Sequence, residues 1–152
     1  MYLWCLLMLF FTVWIPNLVS AQYCLPLPSL RLTSSYGERV HPVTGGTDFH
    51  SGIDLAARFE PVYAICGAVV SDIGYQAFLG NYIRIKTDSL EITYGHLAAC
   101  LVSAHEQVYP GQLLGLSGDS GRVTGPHLHL SVSYRGRYLH PLHFLKGLMS
   151  GP

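Results

Sequence analysis

From His127 to Tyr134 the sequence alternates without interruption, with Leu128, Leu130, Val132 and Tyr134 on one parity and His127, His129, Ser131 and Ser133 on the other. An extended strand, whose side chains point to opposite faces in turn, sorts this pattern into an apolar face for a core and a polar face for a cleft. The same alternation sets two imidazoles on one face with Cβ atoms roughly 7 Å apart. One ring is then placed to bind a metal and the other to reach the metal's water, an arrangement suited to hydrolysis. Upstream, His50 and Asp54 stand four positions apart, an even spacing that predicts both on one face of a strand or of a helix.

The rest of the pattern is also strand-like. Gly67 to Tyr75 is rich in valine and isoleucine. Tyr82 to Thr87 alternates Tyr, Arg and Lys with Ile83, Ile85 and Thr87. A turn at Asp88-Ser89 predicts a hairpin with Glu91 to Leu97, in which Ile92, Tyr94 and His96 share parity and His96 emerges at the strand's end. Arg135-Gly136-Arg137 reads as a turn, and helical signal is confined to about one turn near Leu142 to Leu148. The expected fold is mainly β, a single-domain antiparallel sheet with a groove.

The first 21 residues carry an apolar stretch from Leu3 to Ile15 and end in Val19-Ser20-Ala21, small residues suited to cleavage before Gln22. They are read as a secretory signal peptide, with an uncleaved membrane anchor as the alternative, since no Lys or Arg precedes the apolar run. The stretch is short for a spanning helix, which needs about 20 apolar residues, so no transmembrane domain is expected after cleavage. About 130 residues then remain, enough for one core. Residues 22–34, with Pro26 and Pro28, read as an extended N-terminal arm and 148–152 as a C-terminal tail. All nine basic and nine acidic residues lie after Ala21, and no cluster of Lys and Arg offers a footprint for phosphates, which argues against nucleic acid as a partner. Cys24, Cys66 and Cys100 are too widely spaced for a structural zinc knuckle; they allow either one disulfide, Cys66 with Cys100, or buried thiols.

A catalytic zinc site takes three protein ligands and leaves a fourth position open. His50, Asp54 and His129 supply three, and His96 and His127 are then the groups beside them that move a proton or steady an oxyanion, in roles that the sequence leaves interchangeable. Two rival protease signatures fail. His105-Glu106 begins a HExxH pattern, but its second histidine position is Tyr109. Gly118-Asp119-Ser120-Gly121 imitates a serine-protease turn in a chain too short for the two barrels of that fold. His41, His105, His140 and His143 are read as surface or turn residues.

An ordered set of motifs spans nearly the whole mature chain: Ser35 to Pro42, His50-Ser51-Gly52-Ile53-Asp54-Leu55-Ala56, Gly80-Asn81, Tyr94-Gly95-His96-Leu97, Pro110-Gly111-Gln112, and Thr124 to His129. In this order it resembles the M23 family of zinc metallopeptidases, the lysostaphin and LytM type that cut peptide cross-bridges in bacterial peptidoglycan. The resemblance implies a peptidase domain over 35–147 with the duplicated hybrid motif-like fold. It implies one zinc ion on His50, Asp54 and His129, with His96 and His127 catalytic. The lead-in is similar to that of Gram-negative members, many of them D,D-endopeptidases, which implies a periplasmic or envelope location and a peptidoglycan peptide as substrate. Two departures are visible, at Lys86-Thr87, where the family usually has a histidine, and at Cys66 and Cys100. The competing expectation is a non-catalytic LytM-like module that binds peptidoglycan or activates a hydrolase. Control would come from a regulatory partner, from expression or from limited access to the wall.

Overall fold

The computed structural model describes residues 23–40 and 45–150, so the expected signal peptide and part of the lead-in lie outside the described residues. The elements are β1 (Leu32–Ser34), β2 (Gly37–Val40), β3 (Thr47–His50), β4 (Ile53–Ala56), β5 (Pro61–Tyr63), β6 (Ala68–Gln76), β7 (Gly80–Lys86), β8 (Leu90–Cys100), β9 (Gln107–Val108), β10 (Leu113–Ser117), β11 (His127–Tyr134), β12 (Arg137–Leu139) and α1 (Pro141–Ser150). Ten strands form one sheet along the path β1-β4-β11-β8-β7-β6-β9, with β10 joined to β5 and β8, and β12 joined to β11; β2 and β3 form a separate ribbon. All of these pairings are antiparallel.

Strand β11 is central because its alternation is matched on both sides. Leu128 lies opposite Leu55, Leu130 opposite Ile53 and Tyr94, and Val132 opposite Ile92. All seven side chains are buried at 1% exposure or less. Each is stabilised by about 1.5–3 kcal/mol relative to an exposed position, so a one-residue slip, which would turn the histidines into the core, is strongly disfavoured. The register that buries the leucines is the register that presents the histidines.

Several elements differ from expectation. Strand β8 does not end at His96 but runs on to Cys100. Between Tyr94 and Leu97 it carries three steps where β7 has two between Ile83 and Asn81, a bulge, and His96 sits there at φ 58°. Past the bulge the parity inverts, so Leu97 joins Ile92 and Tyr94 in the core while His96 is re-aimed at the groove. The predicted single helical turn is a ten-residue helix that crosses the boundary set at 147 and buries Leu145. Pro141 starts that helix at the position where a missing N–H costs nothing. The described part of the arm, 23–34, is extended but packed. Leu27 is in the core, the Cys24 amide donates to Ile65 O at 2.8 Å, and the Tyr63 amide donates to Pro26 O at 3.0 Å. Arg135 and Gly136, at φ 48° and 77°, make a two-residue hairpin whose return strand begins at Arg137. Cys24, Cys66 and Cys100 are free thiols, so the Cys66–Cys100 disulfide is not formed.

Candidate metal centre

The pairing of β11 with β4 sets His129 directly opposite Asp54, and the two side chains meet on the groove face with Nδ1 3.0 Å from Oδ1. His50 arrives from elsewhere. It is the last residue of β3, and Ser51-Gly52 bend the chain before β4 begins, so His50 and Asp54 do not share one strand or helix as their spacing predicted. The bend carries His50 Nε2 to 3.2 Å from Asp54 Oδ1 and 3.1 Å from His129 Nδ1. His50 and His129 are buried.

His127 and His96 complete the cluster. His127 Nε2 is 3.6 Å from Asp54 Oδ1, and the His96 ring lies 4.6 Å from that of His127 and 5.8 Å from that of His129, centroid to centroid. All five side chains picked from the sequence therefore converge. His140 and His143 do not join them; the two rings stack on each other 4.1 Å apart at the start of α1.

Three backbone carbonyls that no motif announces set the chemistry of these rings. Ser35 O lies 2.9 Å from His50 Nδ1, Ser120 O 2.9 Å from His96 Nδ1, and Gly125 O 2.8 Å from His127 Nδ1. A carbonyl only accepts, so each Nδ1 carries its proton and each Nε2 is the ring nitrogen turned inward. His129 alone points Nδ1 at the centre. The loop bearing Ser120 is fixed in turn, since Ser120 Oγ donates to Leu97 O at 2.8 Å and accepts from the Asn81 amide at 2.9 Å. Asn81 satisfies a backbone group in the same way, through Nδ2 to Leu97 O.

The donor set fits a metal ion. Ligands about 2.0–2.1 Å from a tetrahedral ion stand roughly 3.3 Å from one another, and the three closest separations among His50, Asp54 and His129 are 3.0, 3.1 and 3.2 Å. Among the described residues, this is the single group of His, Cys, Asp or Glu side chains spaced to hold an ion. Beside it, His127 Nε2 is buried without a hydrogen-bond partner. Burial would push the Asp54 carboxyl up, but hydrogen bonds from His129 and His50 and the charge on those rings outweigh it and hold the carboxyl well below the usual carboxylate range. Burial lowers His129, and lowers His96 to about 4 with the help of its imidazole neighbours, against the opposing pull of Ser120 O and Asp54.

These shifts set an acid response for the metal-free protein. Between pH 6.5 and about 4 the unfolded chain takes up a proton at His96 that the folded chain refuses, and His129 adds to the same imbalance. Asp54 contributes stability above its unfolded value of about 3.8 that is lost as the pH falls further. All three act in one direction. The thermal midpoint of chelated protein is expected to fall on acidification, most steeply between pH 6.5 and 4, and His96→Gln to flatten that slope; calorimetry across the range reads both, and a pH-independent midpoint would contradict the assignment.

The rings and the carboxylate form the floor of an open groove of about 400 Å³. One rim is Phe78 with the Arg122 guanidinium 5.1 Å from its ring centroid. An antiparallel β domain that gathers His, Asp and His at ligand spacing, with two further imidazoles alongside, has the build of a mononuclear metallopeptidase.

The chain belongs to peptidase family M23, whose family model matches residues 48–141. It is 40% identical over 119 residues to the peptidoglycan DD-endopeptidase ShyC of Vibrio cholerae, covering 76% of this chain and 28% of that one. Among solved structures it superposes on a zinc-containing peptidase from Vibrio cholerae with a TM-score of 0.70 at 34% identity, over 80% of this chain and 38% of that one. It superposes on the catalytic domain of lysostaphin from Staphylococcus simulans with a TM-score of 0.69 at 28% identity, over 77% and 92%. The fold is thus the antiparallel β fold of lysostaphin-type M23 peptidases. The chain spans about a quarter to a third of the length of the curated relatives it matches.

Proposed function

We propose that this domain is a zinc-dependent endopeptidase of the bacterial envelope that hydrolyses peptide cross-links of peptidoglycan, with D,D-endopeptidase activity. The observation that carries the proposal is the meeting of His50, Asp54 and His129 at ligand spacing with the Nε2 of His127, buried without a hydrogen-bond partner, next to them. The substrate comes from relatives named as peptidoglycan DD-endopeptidases. Envelope location is supported by the signal-like residues 1–21, and no helix among the described residues is long and apolar enough to cross a membrane.

His50 Nε2, Asp54 Oδ1 and His129 Nδ1 would hold the ion. Zinc in such a site polarises a carbonyl and makes hydroxide available at neutral pH. His127 supplies the base. Its Nε2 carries a lone pair, and the imidazolium formed on protonation would face the Asp54 carboxylate at 3.6 Å, so it takes the proton of the attacking water and returns it to the leaving amine. His96, held neutral down to about pH 4, stays uncharged beside it and keeps the His127 ring in place.

The test is a muropeptide digest paired with metal analysis of the purified protein. One zinc per chain and conversion of cross-linked dimers to monomers are expected, with activity lost to a chelator, restored by zinc and untouched by a serine-directed inhibitor. Zinc-loaded protein that leaves every cross-linked dimer intact would remove the enzymatic reading.

A further inference from the structure

Two residues along β11 from His129, the groove floor carries a second polar row. Ser131 on β11 lies opposite Thr93 on β8, and Thr93 lies opposite Arg84 on β7, so the three side chains run side by side across adjacent strands. Directly opposed residues have Cβ atoms about 4.5–5.5 Å apart, and the row stands about 7 Å from His129 along the strand. All three line the groove.

Ser131 and Thr93 are each only 7% exposed, and what they expose lies in the groove that both line. Arg84 is under-committed. Among the described residues its one ion pair is a 3.5 Å contact from Nη1 to Asp72 Oδ2, an oxygen already taken by the Tyr82 hydroxyl at 2.7 Å. The Tyr82 ring, 4.9 Å from the guanidinium, steadies the head group without occupying its donors. Most of the five N–H donors of Arg84 therefore remain for a ligand.

We propose that Arg84, Thr93 and Ser131 form a carboxylate-binding subsite that selects peptide substrates carrying a free carboxylate within about two residues of the scissile bond. One guanidinium matches the single charge and planar shape of a carboxylate, and the two hydroxyls add donors on the side nearer the metal centre. The subsite deepens the endopeptidase reading by naming what distinguishes its substrate. It rests on that reading for the peptide, but not on turnover.

The experiment measures binding and cleavage separately in the zinc-loaded protein. Two stem-peptide probes with a non-cleavable methyleneamine at the scissile position, one bearing a free carboxylate beside it and the other the carboxamide, are titrated by fluorescence anisotropy. Wild type is expected to favour the carboxylate probe about tenfold or more, the size of a charge-assisted hydrogen bond. Arg84→Gln should bring the two probes to within about twofold of each other, and Arg84→Lys should restore part of the preference. Thr93→Val with Ser131→Ala should weaken binding of the carboxylate probe while unfolding midpoints stay at the wild-type value, which separates lost donors from lost structure. Equal binding of both probes by wild type, binding of neither, or an undiminished preference in Arg84→Gln would overturn the subsite. A preserved preference in a protein that cleaves no hydrolysable counterpart would uphold the subsite and remove the peptidase reading instead.

Discussion

Replacing His129 by Ala is expected to empty the metal centre and to lower peptide hydrolysis by on the order of 10³-fold or more, since a metal contributes several kcal/mol to the transition state and each 1.36 kcal/mol is a factor of ten. The size follows from what His129 touches. Its Nδ1 is within 3.1 Å of both Asp54 Oδ1 and His50 Nε2, so its removal takes away one of the three side chains proposed to hold the ion. In the metal-free protein the Asp54 carboxyl should then move back up towards the ordinary range, because the hydrogen bond from His129 is the strongest influence holding it down. Zinc content by mass spectrometry under native conditions and release of monomers from cross-linked muropeptides read the two effects together. A variant with full zinc and wild-type turnover would end the ligand assignment. His127→Ala makes the contrast, since it should keep the zinc and lose the rate.

What the sequence shows of this site and what it hides divide along a physical line. The alternation through β11 is legible because burial of Leu128, Leu130 and Val132 forces the register, and with it the facing of His127, His129 and Ser131. The ordered motifs mark all five cluster residues for the same reason that they converge, namely that each sits on or beside the three neighbouring strands β4, β11 and β8. The bulge at His96 is not legible. Parity alone sends His96 into the core with Ile92 and Tyr94, and only contacts from outside the strand, with the His96 amide donating to Leu79 O at 2.8 Å and its Nδ1 to Ser120 O, hold the extra residue in place. The carbonyls that fix the tautomers carry no side-chain signature at all. Helix α1 is masked by Pro141 and Gly147, which read as breakers although the first is a favoured helix start, and Leu27 is masked by flanking prolines that suppress any periodicity around a core residue.

Substituting Ala at Gly52 is expected to cost about 100-fold in turnover although residue 52 is not a ligand. A Cβ at this position would lie 2.5 Å from Leu130 O and 2.7 Å from His129 Cε1 and Nε2. Leu130 O cannot retreat, because it belongs to the backbone of β11, which is paired on both sides with β4 and β8. The ring of His129 is then the part free to give way, and it can do so only by tilting Nδ1 off Asp54 Oδ1 and out of ligand position. Misplacing a reacting group by about 1 Å costs roughly 100-fold. The other route, lifting the Ser51-Gly52 bend off β11, would draw His50 Nε2 away from the same centre, so either relaxation opens the cluster. Overpacking of this kind lowers stability by about 1–3 kcal/mol, which chemical denaturation of the metal-free protein would show. Gly147→Ala, at a helical position where an added Cβ meets nothing within 4 Å, supplies the comparison and should leave turnover unchanged. Equal turnover in the two variants would show that the bend at Gly52 is slack and that His129 is held by something other than its fit against that glycine.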